Sequence, residues 1–65
     1  MRTFTLAGSY SAEAKSKQYI IYVRHGVACH IDPVDAAGRR LTGGMVVHQD
    51  DLSLSAVEPE RERIN

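Results

Sequence analysis

Apolar and polar residues alternate along the first part of the chain. Between residues 3 and 12 the even positions carry the larger apolar side chains, and they read Phe4, Leu6, Gly8, Tyr10 and Ala12. A period of two is typical of a strand with one buried face. Glycine inside such a pattern indicates a bulge or a bend. The pattern therefore predicts a long, bent first strand over residues 3–12.

The segment after this strand has two interpretations. Ser11 is a suitable cap for a short helix over residues 12–18. That segment has no apolar stripe, however, and a helix of about two turns is marginal by itself. A turn over residues 13–16 is the preferred interpretation. It predicts the pairs Tyr10/Tyr19 and Leu6/Val23 between the first two strands.

The most apolar part of the chain predicts a β-hairpin. A three-residue loop over residues 24–26 puts Gly26 at the left-handed position that such loops favour. All core-facing residues are then apolar, whereas a loop one residue shorter would place polar side chains opposite Ile21 and Tyr19. A slip of one residue exchanges the two faces of a strand, so the apolar arrangement is favoured. The predicted pairs are Val23/Val27, Ile21/Cys29 and Tyr19/Ile31.

Turn residues divide the rest of the chain. Asp35 and Gly38 are typical of a turn, and a loop over residues 35–39 predicts a fourth strand with Gly43 opposite Ile31. Alternation returns at residues 52–55 and predicts a short last strand. The predicted pairs of the third and fourth strands are Pro33/Leu41, Cys29/Met45 and Val27/Val47.

Together these segments predict a mainly β protein. Its five strands lie near residues 3–12, 17–24, 27–34, 40–48 and 52–57. A regular antiparallel meander of this size would curl into a small, partly open barrel of the SH3-like or OB-like kind. The alternative is an α+β architecture, in which one short helix lies across a curved antiparallel sheet. Residues 1–57 are expected to form one small domain, and residues 58–65 a charged tail.

Composition agrees with a small soluble domain. The chain has 65 residues and no net charge, and 43% of the residues are hydrophobic. A domain of this size buries only about 60% of the surface that its unfolded chain exposes. No apolar run approaches the ~20 residues of a membrane span, and the N-terminus lacks the pattern of a signal peptide. With a single cysteine and no internal disulfide, a cytoplasmic location is expected.

Candidate metal ligands and catalytic residues do not converge in this arrangement. Cys29 and His30 are neighbours in a strand and point to opposite faces, while His25 lies about 13 Å from Cys29 at ~3.3 Å per residue. A better metal candidate joins His25 to His48 and either Asp50 or Asp51 at one end of the sheet, but exposed loop histidines are the favoured interpretation. Sequence motifs for nucleotide binding or an activated nucleophile are absent. We therefore expect no metal, no cofactor and no enzymatic activity.

The outward side of the second to fourth strands is the best candidate for binding. It carries Ile20, Tyr22, His30 and Val46, which make an apolar patch with polar neighbours. Such patches usually mark protein contacts, in which tyrosine is a favoured anchor. We expect a protein partner or self-association, and a role as an accessory regulator or inhibitor of the kind that phages and plasmids encode.

Nucleic-acid binding is the alternative hypothesis. The turns at residues 13–16 and 35–39 share one end of the predicted barrel, where they gather Lys15, Lys17, Arg39 and Arg40. Small barrels bind single strands through basic loops and stacking aromatic residues. Acidic residues in the same turns and the zero net charge favour the protein partner instead. Contact with a membrane is not expected.

Overall fold

The computed structural model describes residues 2–57. Five strands form one antiparallel sheet: β1 (Arg2–Leu6), β2 (Gln18–His25), β3 (Ala28–Val34), β4 (Met45–His48) and β5 (Leu52–Val57). A short helix, α1 (Ala12–Lys15), lies between β1 and β2, and one turn of 3-10 helix (Gln49–Asp51) precedes β5. Within this part of the chain no helix is long and apolar enough to cross a membrane. The prediction of a mainly β domain with five antiparallel strands is confirmed.

The strand order in the sheet is β4-β3-β2-β1-β5. The first four strands follow one another as in a meander, but the last strand pairs with β1, from Arg2 opposite Val57 to Leu6 opposite Leu52. A regular meander would have placed β5 beside β4. The sheet is not closed, and β4 and β5 are its two edges.

Helix α1 replaces the end of the predicted first strand and the turn after it. Gly8 has a positive φ of 98°, which ends the extended conformation soon after β1. The Oγ of Ser11 accepts a hydrogen bond from the backbone N–H of Ala14 at 3.1 Å, and the hydroxyl of Tyr19 donates to the Ala14 carbonyl at 2.8 Å. The prediction of strand over residues 7–12 is wrong, because contact with Tyr19 stabilises a helix too short to form alone. The longer connection also changes the first hairpin, in which Phe4 pairs with Tyr19 in place of the predicted Tyr10/Tyr19 and Leu6/Val23.

The β2–β3 hairpin has a different register from the predicted one. Its loop has two residues, and the first, Gly26, has a positive φ of 61°. A β-bulge at Tyr22 shifts the pairing along the strands. The partners predicted for Ile21 and Tyr19 are wrong by two residues, and a shift of two leaves their side chains on the predicted face. Val23 pairs with His30, three residues from the predicted Val27, and so changes face. Beyond the bulge the pairs are Ile21/Ile31, Ile20/Asp32 and Tyr19/Pro33.

The β3–β4 connection follows the predicted register only near its turn. The backbone N–H of Leu41 donates to the Pro33 carbonyl at 2.8 Å, as the prediction requires. Residues 42–44 then leave the ladder, and β4 pairs two residues further along. Gly44 packs against the Ile31 carbonyl so closely that a Cβ atom would overlap with it, so the close approach predicted at Gly43 occurs at Gly44. The pairs are Ala28/His48, Cys29/Val47, His30/Val46 and Ile31/Met45.

The core lies on one face of the sheet. Three residues that were predicted to face the core, Val23, Val27 and Leu41, are exposed. The bulge puts Val23 on the opposite face, and the two loops take Val27 and Leu41 out of the strands. Tyr10 and Ala14, from α1 and the loop before it, cover one part of the core. The core consists of the buried residues Leu6, Tyr19, Cys29, Ile31 and Val47, with the half-buried Tyr10, Ala14, Ile21, Met45 and Leu52 packed against them.

A thiol reagent should react slowly with native Cys29. The side chain is 0% exposed, and it lies opposite Val47 and Arg24 rather than between the predicted Ile21 and Met45. Labelling requires an opening of the sheet, so the rate should rise steeply with urea. The measurement is the labelling rate with and without denaturant, followed by mass spectrometry. A rate in native buffer equal to that of the unfolded chain would contradict the structure.

Candidate protein-binding face

Five residues of β2, β3 and β4 form what we name the outer face: Ile20, Tyr22, Val23, His30 and Val46. His30 pairs with Val46 on one side and with Val23 on the other. Ile20 pairs with Asp32, and its neighbours Tyr19 and Ile21 belong to the core side of the sheet. The four residues predicted for partner binding thus share one face. Because of the bulge, His30 lies opposite Val23 and not opposite Ile20, which an unbroken hairpin in the predicted register would place there.

The bulge at Tyr22 concentrates apolar surface on this face. Tyr22 is the extra residue of β2, so both it and Val23 lie beside His30. The exposed fractions are 48% for Tyr22, 37% for Val23 and 56% for Val46. The outer face is therefore an exposed apolar surface next to an edge strand.

A row of aromatic and cationic side chains crosses the outer face. The ring of Tyr22 meets that of His30 edge-on at 6.1 Å between centroids, and His25 meets His30 in the same way at 5.5 Å. The Arg40 guanidinium lies 4.7 Å from the centroid of the Tyr22 ring and pairs with Asp32. The row holds the Tyr22 ring in one orientation without burying it. Sequence reasoning missed Val23, His25 and Arg40 here, since only the observed bulge and loop bring them to this face.

The predicted nucleic-acid end of the sheet does assemble, but its charges are neutralised. Gln18 pairs with Val34, which brings the residues after α1 beside the β3–β4 turn. Lys17 lies 4.0 Å from Glu13, Arg39 lies 3.1 Å from Asp35, and Arg40 pairs with Asp32. The Nζ of Lys15 donates to the Gly8 carbonyl at 3.3 Å. Three of the four candidate cations thus have a carboxylate partner.

Asp35 organises the turn at this end. Its Oδ1 accepts hydrogen bonds from the backbone N–H groups of Arg39 at 2.9 Å and Ala37 at 3.0 Å. These bonds hold the pKa of the Asp35 carboxyl below its ordinary value, and the bond from the Arg39 backbone has the largest effect. The Arg39 side chain lowers the pKa further. The charged form is the one that the folded turn favours.

Asp35→Ala should lower the thermal midpoint near neutral pH and matter less in acid. Because the folded-state pKa is depressed, the stabilisation is present above the unfolded pKa of about 4 and is lost as pH falls through the folded value. Asp35→Asn is the matched control, since it keeps an acceptor but has no charge to titrate. The measurement is the unfolding midpoint of the three proteins between about pH 7 and pH 2. A difference between wild type and Asp35→Ala that grows in acid would contradict this account.

The candidate metal ligands are not brought together. His25 contacts His30, whereas the Nδ1 of His48 accepts from the backbone N–H of Asp50 at 3.0 Å and lies 3.7 Å from its Oδ2. Among residues 2–57 no group of three His, Cys, Asp or Glu side chains is placed to hold a metal ion. The aspartate next along, Asp51, accepts a hydrogen bond from the Tyr10 hydroxyl at 3.1 Å. Partial burial, and then this carboxylate, raise the pKa of Tyr10.

Comparison with known proteins gives no relative. No protein family, no curated protein and no solved structure matches the chain.

Proposed function

We propose that this chain is a non-enzymatic binding module that contacts a protein partner, or another copy of itself, through the outer face. The observation that carries the proposal is the exposure of Tyr22 and Val23 on β2 and of Val46 on β4, on the two sides of His30. An exposed apolar patch rimmed by polar groups is typical of protein contacts. An accessory regulatory or inhibitory role in the cytoplasm is part of the proposal, and the single, buried cysteine suits a reducing compartment.

The position of the outer face also favours a protein ligand. β4 is an edge strand, so the backbone groups along its free side can pair with a strand of a partner. Tyr22 offers a large ring and a hydroxyl, and the contacts with His30 and Arg40 orient it in advance. A side chain that is ordered before binding loses less conformational entropy in the complex. Tyr22 is therefore the proposed anchor, with Val23 and Val46 beside it.

Val46→Asp should abolish the interaction, whereas Leu54→Asp should leave it intact. Both side chains are 56% exposed, but Val46 lies on the outer face and Leu54 lies on β5 at the other edge of the sheet. A partner bound to the outer face would desolvate the new charge of Val46→Asp, which costs binding free energy. The charge of Leu54→Asp lies outside the contact and stays hydrated. Sedimentation velocity of the purified chain measures self-association, and capture on tagged protein from its native cells measures partner binding.

Circular dichroism of each variant checks that the fold is unchanged. Loss of binding in Val46→Asp alone supports the outer face. Equal binding by both variants, or equal loss in both, would contradict it.

Nucleic-acid binding through Lys15, Lys17, Arg39 and Arg40 is the alternative function. The ion pairs at that end count against it, because a phosphate would have to displace a carboxylate from each of three cations. Titration with a fluorescent single-stranded oligonucleotide at low salt tests it directly. Affinity that falls with salt and with Arg39→Ala combined with Arg40→Ala would favour this alternative.

A further inference from the structure

A groove lies in the gap between β1 and β2, and of the outer-face residues Ile20 borders it. The two strands share a single residue pair, Phe4 with Tyr19, and the gap opens beyond it. Ile20 and Ile21 leave β2 on opposite faces and both line the groove, which places it between the strands. The volume of about 510 Å³ falls in the range of small-molecule sites. Its lining residues are Arg2, Phe4, Ile20, Ile21 and Arg24.

A second hollow continues the groove toward the 3-10 turn. It shares Arg2, Phe4, Ile21 and Arg24 with the first, has a volume of about 300 Å³, and ends at residues of the 3-10 turn and β5. Both arginines therefore border both spaces. The one acidic residue of the second lining is Asp50, which lies beside His48 at 3.7 Å.

The two arginines differ from the other cations of the described chain. Lys17, Arg39 and Arg40 have carboxylate partners, and Lys15 donates to a backbone carbonyl. Within residues 2–57, Arg2 and Arg24 have no carboxylate within 4.0 Å and donate no side-chain hydrogen bond to the protein. Two guanidinium groups that border one groove and have no carboxylate partner in the described part of the chain make a site suited to an anion.

The bulge at Tyr22 is what delivers Arg24 to this groove. In an unbroken strand Arg24 would share a face with Ile20 and Tyr22. The extra residue reverses the alternation, so that Arg24 lies opposite the buried Cys29. The bulge therefore contributes to two surfaces: it places Tyr22 on the outer face and Arg24 beside the groove.

We infer that the groove binds a small organic anion, with a carboxylate or phosphate between the guanidinium groups of Arg2 and Arg24 and an apolar body against Phe4 and Ile21. Guanidinium groups present parallel N–H donors that match both kinds of oxyanion. The phenyl ring of Phe4 and the side chain of Ile21 supply the apolar wall. This inference does not rest on the proposed partner of the outer face, although Ile20 borders both surfaces.

The test is a titration of the full chain with benzoate and with phenyl phosphate, followed by amide chemical shifts in NMR spectra. Benzyl alcohol, which has the ring without the charge, is the control ligand. Arg24→Gln should weaken binding of the anions at least about tenfold. Lys15→Gln is the matched control, since Lys15 is another cation without a carboxylate partner in the described chain but lies on α1. Comparison of the two anions decides between a carboxylate and a phosphate ligand.

The titrations are done in two backgrounds. One is the wild-type chain, and the other is a triple variant that carries Glu58→Gln, Glu60→Gln and Glu62→Gln. These carboxylates follow β5, whose last residue pairs with Arg2, so they are potential competitors for the arginines. Anion binding that Arg24→Gln weakens and Lys15→Gln retains, in either background, supports the site. No shift with either anion in both backgrounds, equal weakening by the two substitutions, or equal binding of benzyl alcohol would overturn it.

Discussion

Ile31→Ala is expected to lower the free energy of unfolding by about 2–5 kcal/mol. The Ile31 side chain is 0% exposed and lies between Ile21 of β2 and Met45 of β4, so its truncation leaves a cavity at the centre of the sheet. A domain of this length has a stability of roughly 3–10 kcal/mol at 0.05–0.15 kcal/mol per residue. The substitution therefore removes a large share of the total. Urea denaturation followed by circular dichroism measures the change.

Val46→Ala is the matched control for this experiment. Val46 is a β-branched residue on the neighbouring strand, but more than half of its surface is exposed. Its truncation should change the free energy of unfolding by less than about 1 kcal/mol. Similar losses in the two variants would mean that the outer face, rather than the face carrying Ile31, is the core of the sheet.

Tyr22→Ala is expected to cost more than about 2 kcal/mol of binding free energy, or roughly thirtyfold in affinity. Tyr22 is the largest exposed side chain of the outer face, and a central aromatic anchor typically carries such a share of a protein contact. The fold should be little affected, since Tyr22 is 48% exposed and its ring meets His30 and Arg40 on the surface. Binding or self-association is compared with wild type by calorimetry or sedimentation. A variant that unfolds would show that Tyr22 has a structural role instead.

The inward-facing residues were largely predictable from the apolar pattern, whereas the pairing was not. Tyr19, Cys29 and Ile31 occupy alternate positions and are buried as predicted, because the parity of a strand survives a register error of two residues. The bulge at Tyr22 has no local signal in the sequence. Its benefit is tertiary, since it lets Ile21 meet Ile31 while the hairpin closes on Gly26. The pairing register therefore depends on contacts between strands, which the sequence of one strand does not reveal.

Helix α1 also depends on contacts that its own sequence does not reveal. Ser11 was recognised as a suitable cap, but four helical residues have too little intrinsic stability to be predicted against a strand. The hydrogen bond from Tyr19 to the Ala14 carbonyl and the packing of Ala14 on the core decide in favour of helix. The position of β5 was equally hidden, because its short alternating pattern fits either edge of the sheet. The four residues predicted for partner binding share one face of the sheet, but the bulge also brings Val23 there, against its predicted parity.

The pairing of β1 with β5 also governs the order in which this protein can be assembled. Arg2 and Val57 lie opposite each other although they are separated by nearly the whole described chain. During synthesis, β1 leaves the ribosome long before β5 is made, so the nascent chain must keep its first strand unpaired along one side. Closure over so long a loop is entropically costly and slow compared with the local hairpins of β2, β3 and β4. Completion of the sheet therefore waits for release of the C-terminal strand, and a chain stalled before Leu52 would expose the apolar residues of β1 to chaperones and to other nascent chains.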